Sequence, residues 1–149
     1  TMDFPSRPPV PCEVPPRLEQ ALGAPVLEAH ASRDLLVLLL NEDAVRNLRP
    51  DFSLLKQLKD VFAVIVTARG TDCDFVSRFF APGIGVPEDP VTGSSHSTLI
   101  PFWHARLGKK QMIARQLSAR GGTLMCEYCG DRVKIGGTAV CYLRGEINL

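Results

Sequence analysis

No block of five or six like charges occurs anywhere in the 149 residues, and 17 basic side chains stand against 16 acidic ones. A formal charge of +1 leaves no electrostatic footprint for nucleic acid, so a polyanionic partner is not expected. Long apolar runs are also missing. No run exceeds the length of Leu35 to Leu40, which falls far short of the roughly 20 residues a helix needs to cross a bilayer. The N-terminus lacks the basic-then-apolar pattern of an export signal. Cysteine occurs in an odd number, five, which without that signal argues for reduced thiols over a disulfide framework. These absences point to a soluble, cytoplasmic chain, long enough for one domain with its own core. Metal chemistry finds little support either. Cys126 and Cys129 form a C-x-x-C, but no second Cys or His pair stands at zinc spacing, and the motif runs into a Gly-Asp turn instead of opening a helix. His96 and His104 have no third ligand in view.

The opening "TMDFPSRPPVPCEVPP" is rich in proline, which forbids regular helix and suits an extended arm or an edge strand. A short helix is expected from about Arg17 to Leu22, between prolines and Gly23. "APVLEAHAS" and "RDLLVLLLN" read as strands. Two short helices follow, one capped by Asn41 and one after Pro50, and then the β-branched "VFAVIVTARG" and "DCDFVSRFFAPG" predict strands. Beyond residue 110, "QMIARQLSA", "GTLMCEYCG", "DRVKIGG" and "TAVCYLRGEINL" read as strands joined at hairpin spacing. Mostly antiparallel strands with one long helix between two groups of them predict an α+β domain.

That helix is expected from Gly93 to Leu107. Leu99, Ile100, Phe102, Trp103, Ala105 and Leu107 do not form one stripe, so the helix must be enclosed on most sides. Gly108 and two lysines stop it, and Pro101 inside it deprives the Ser97 carbonyl of its helical partner. Thr92 is the expected N-cap, followed by Gly93, Ser94 and Ser95, whose amides have no acceptor within the helix. An anion could approach such donors, helped by the positive helix end. A bland reading competes: Thr92 and Asp89 cap the helix, the serines fill tight positions, and His96 is a hydrogen-bonded core histidine. The residues alone leave both readings open.

"DFVSRFFAPGIGVPEDPVTGSSHSTLIPFWHARLGKK", with "QLSARGG" and "DRVKIGGTAVCYLRGEI", resembles the C-terminal half of the PhzF-like isomerases, the phenazine biosynthesis-like relatives of diaminopimelate epimerase. The likeness is clear over about Asp74 to Glu146 and weaker back to "MDFP". It implies a diaminopimelate epimerase-like α+β domain, a mostly antiparallel curved sheet wrapped around a central helix at about 93–107. It also implies a proton shift next to a substrate carboxylate, run without cofactor or metal, in a cleft between two similar halves. Asp89 matches the acidic residue of the Asp-Pro-x-Thr-Gly-Ser motif and is the expected catalytic group. Gly93 and Ser94, with Thr92 and His96, are the expected substrate-binding residues.

The resemblance also sets expectations about what accompanies this chain. Residues 1–16 are expected to end an N-terminal domain, and 17–149 to form the C-terminal PhzF-like domain. The main acid/base glutamate belongs to the first half, so the isolated chain is expected to be inactive. Its partners would be a small-molecule carboxylate and either the N-terminal half of the same fold or a second copy. Amino-acid epimerisation by a thiol pair is not expected, because no cysteine opens the helix. The alternatives are a non-catalytic interaction module and, third, a thiol role for Cys126 and Cys129.

Overall fold

The computed structural model describes residues 1–147. Its strands are β1 (Met2–Pro5), β2 (Val10–Cys12), β3 (Glu28–Ala31), β4 (Leu35–Leu38), β5 (Val64–Arg69), β6 (Phe75–Phe80), β7 (Gln111–Gln116), β8 (Gly122–Cys129) and β9 (Arg132–Gly136). They make one sheet in the order β1-β9-β8-β7-β6-β5-β4-β3-β2. The helices are α1 (Leu18–Leu22), α2 (Glu42–Arg46), α3 (Phe52–Lys56) and the long α4 (Gly93–Leu107). The sheet is curved and unclosed, with β1 and β2 as its two edges. The extended arm expected for residues 1–16 thus supplies both edges of this sheet.

Two pairings, β4 with β5 and β6 with β7, are parallel, and the rest are antiparallel. The parallel pairs need crossovers, which α2 with α3 and α4 provide. Both crossovers move the same way across the sheet, but the strand direction reverses between β5 and β6. Two right-handed crossovers must then lie on opposite faces. The core divides accordingly. On one face α4 packs Leu99, Ile100, Phe102 and Trp103 against Ile65, Phe75, Leu124 and Ile135. On the other, α1 to α3 cover Val64, Val66, Val76 and Phe80. Alternation along β5 and β6 sends successive side chains to the two faces.

Enclosure of α4 is complete in its middle, where every residue from Ser95 to Trp103 is buried. Trp103 stacks on Phe75 with centroids 5.7 Å apart, and its Nε1 donates to Thr67 Oγ1 at 3.0 Å. The Ser97 carbonyl freed by Pro101 accepts from the Arg7 backbone N–H at 2.8 Å, which ties the proline-rich arm to the helix.

One expected strand is absent. Residues 138–147 of "TAVCYLRGEINL" carry no regular structure, and Asn148 and Leu149 lie outside the described residues. A strand needs a neighbour to complete its hydrogen bonds. Here Val140 and Tyr142 are almost fully exposed, at 92% and 99%.

Candidate active site

Thr92 is the residue before α4, in an extended conformation, but its hydroxyl caps nothing in the helix. It donates instead to Asp89 Oδ2 at 2.6 Å. Among the described residues no side chain accepts from the amides of Gly93, Ser94 or Ser95. The first turn of α4 therefore keeps the free donors and the positive dipole end that suit an anion.

Asp89 is fixed through its backbone. Its N–H donates to Phe79 O at 3.0 Å, and its carbonyl accepts from Gln116 Nε2 at 2.7 Å. Gln116 Oε1 also accepts from the Thr92 N–H at 2.8 Å. One amide side chain from β7 thereby holds both ends of the Asp89–Thr92 turn. Ser118 adds a hydrogen bond to Pro90 O at 2.6 Å. Glu88 takes a two-pronged pair from the buried Arg78, at 2.7 and 3.0 Å, while Arg78 also reaches the carbonyls of Val45 and Leu48. These contacts leave Asp89 Oδ1 with no donor among the described residues.

Asp89, Thr92 and Ser94 line a cleft of about 370 Å³ with Arg33, Phe62, Phe79, Ala81, Ile84 and Val86. Gly93 faces a second cleft of about 360 Å³, between Met2, Val91 and the β7–β8 turn. Gly122, the first residue of β8, is required by space: a Cβ there would lie 2.5 Å from Val91. Of the residues expected to bind substrate, the structure gathers Thr92, Gly93 and Ser94 with Asp89 around the start of α4, and it does not bring His96 there. His96 is fully buried and lines neither cleft.

Its Nδ1 lies 2.7 Å from Thr92 O, an acceptor, so the proton sits on Nδ1. Burial lowers the imidazole to about 4, against a hydrogen bond to Thr92 that favours the charged form. The unfolded chain therefore takes up a proton between pH 6.5 and about 4 that the folded chain refuses. Stability from this group is full above pH 6.5 and falls as pH drops through that window, by about 3 kcal/mol near pH 4 at about 1.36 kcal/mol per pH unit. Urea unfolding at pH 7 and pH 4.5 measures the fall, and His96→Gln should flatten it. An equal fall in the variant would assign the loss to other groups.

The C-x-x-C does not form a thiol pair. Cys126 and Cys129 are three residues apart on β8, which puts their side chains on opposite faces and their Cα atoms about 10 Å apart, too far for a disulfide. Cys126 is buried, and burial, with the nearby Asp74 charge, pushes its thiol up to about 12. Alkylation at pH 8 is expected to label exposed Cys129 and spare Cys126 until the protein is denatured, as read by peptide mass spectrometry. Labelling of both in the native protein would contradict this packing.

Sequence reasoning missed Arg33, Arg78 and Gln116. Gln116 lay within the quoted "QLSARGG", but nothing local marks it as the holder of a turn 24 residues away.

A curved sheet wrapped on a central helix is the α+β architecture of the diaminopimelate epimerase-like class. Within that class the chain belongs to the phenazine biosynthesis-like (PhzC-PhzF) family, whose model matches residues 18–145. It is 54% identical over 149 residues to a protein of Pseudomonas aeruginosa named as an uncharacterized isomerase, covering 99% of this chain and 57% of that protein. A PhzF family crystal structure from Enterococcus faecalis superposes with TM-score 0.92 at 47% identity, covering 99% of this chain and 57% of that one. A putative PhzC/PhzF protein from Clostridium difficile gives TM-score 0.88 at 44% identity, with the same coverage. The chain spans a little over half the length of these relatives.

Proposed function

We propose that this chain supplies the carboxylate-binding lobe of an isomerase that moves a proton at the carbon next to a substrate carboxylate. The observation that carries this reading is that Ser94, in the open first turn of α4, and Asp89, whose Oδ1 has no donor among the described residues, line one cleft. A carboxylate held by those amides can take up negative charge as the neighbouring proton leaves, because fixed donors stabilise an enolate-like species as it forms. Asp89 orients the substrate and relays a proton, and Ser94 Oγ adds a hydrogen bond. The opposing acid/base is a glutamate of an N-terminal half, and the setting is cytoplasmic. The test is α-proton exchange into D₂O, followed by NMR, for the intact protein across a panel of carboxylic acids. Absence of exchange throughout the panel rejects the isomerase reading.

A second reading is favoured by residues 138–147. Val140, Tyr142, Leu143 and Ile147 are each more than 80% exposed, an apolar strip that a partner could cover. In this reading the chain is an interaction module that pairs with a similar half or a second copy. Light scattering separates the two: a strictly monomeric chain that binds no hydrophobic dye counts against it.

A further inference from the structure

The turn between β3 and β4 carries Arg33 to the same cleft, although 61 residues separate it from Ser94. Its side edge is committed: Nε and Nη2 donate to the two oxygens of buried Asp34 at 3.0 and 2.8 Å. Its cationic carbon lies 5.3 Å from the centre of the Phe62 ring. The end edge of the planar fork, formed by Nη1 and Nη2, is turned away from Asp34 toward Ser94. There Nη2 donates to Ser94 Oγ at 3.2 Å, and Nη1 has no acceptor among the described residues. A tie between turn and helix needs only that one bond. It does not need a guanidinium held from two sides with its free N–H groups beside the open first turn of α4. Around the cleft, Phe62, Ile84 and Val86 are all exposed apolar side chains.

We infer that Arg33 is a carboxylate-binding residue: its end edge holds the substrate carboxylate together with the first-turn amides of α4, while the apolar body of the acid rests on Phe62, Ile84 and Val86. This inference rests on the carboxylate-binding reading proposed above. Asp34 keeps the fork rigid, so little side-chain freedom is lost on binding. Lysine cannot substitute, because a single ammonium cannot satisfy Asp34 and present a second edge.

The test is a titration of the ¹⁵N-labelled intact protein with benzoate, followed by NMR at the amides of Gly93, Ser94 and Ser95 and at Arg33 Nε–H. All four are expected to shift together. Arg33→Lys is expected to weaken benzoate roughly 10- to 100-fold, the range for a lost hydrogen bond to a charged group. The double change Arg33→Met with Asp34→Asn, which leaves no buried charge unpaired, is expected to do the same if Arg33→Lys fails to fold. Shifts at the helix amides with unchanged affinity in the variants would overturn the role of Arg33 and leave the carboxylate site standing. No shift at the helix amides would overturn both.

Discussion

Asp89→Asn is expected to lower α-proton exchange by roughly 10²- to 10⁴-fold in the intact protein, the range for loss of a positioned acid/base group. Asparagine has nearly the same shape and still offers an oxygen to Thr92 Oγ1, so the turn held by Gln116 and Phe79 should persist. What it cannot do is take up a proton at the position of Oδ1. Thermal unfolding should therefore be almost unchanged while exchange collapses, and the two measurements together separate a chemical role from a structural one. Exchange at the wild-type rate would remove Asp89 from the mechanism. Loss of exchange with a large fall in stability would mean that the carboxylate serves the turn and not the reaction.

Trp103→Ala is expected to destabilise the domain by about 3–5 kcal/mol, the range for truncating a buried large aromatic. The ring is 4% exposed, stacks on Phe75 and meets Phe102 edge-on at 5.4 Å. Removing it opens a cavity between α4 and the sheet that rigid neighbouring strands cannot close. Trp103→Phe keeps most of that volume and loses the Nε1 hydrogen bond to Thr67 Oγ1, a change of about 1 kcal/mol. Thr67 Oγ1 still donates to Val76 O, so no donor is stranded. Urea unfolding of the two variants measures both numbers, and equal losses would mean that the hydrogen bond, not the volume, dominates. Because the same helix presents the candidate site at its other end, the alanine variant should also weaken carboxylate binding at temperatures where the core has begun to loosen.

Much of this was legible in the chain. Apolar residues on all sides between Leu99 and Leu107 called for an enclosed helix, and Ser95 to Trp103 are buried without a break, but the last turn is not enclosed: Ala105 is exposed and Leu107 only half-buried. The glycine stop at Gly108 and the missing bond at Pro101 could be read from residue chemistry alone. What could not be read is where the missing bond goes: Ser97 O is satisfied by Arg7, from a segment whose prolines announced only that it was extended. The same holds for "TAVCYLRGEINL", whose strand-like composition is real but finds no neighbour within residues 1–147. Propensity describes what a segment can do, and a ladder needs a second strand.

The sequence by itself determined the helices, the strands up to Gly136, the enclosure of the middle of α4 and the polar start of that helix, because these depend on side-chain chemistry within a few residues. Only the tertiary structure decided which groups surround that start. Arg33 and Gln116 arrive from 61 and 24 residues away, and Arg78 crosses to the carbonyls of Val45 and Leu48. Their arrival follows from strand register and from two crossovers on opposite faces, which no local periodicity encodes. His96, three residues into the helix from Gly93, turns inward to the core while Ser94 faces the cleft: two residues on a helix are enough to change sides, and the packing of α4 on the sheet decides which side is the core.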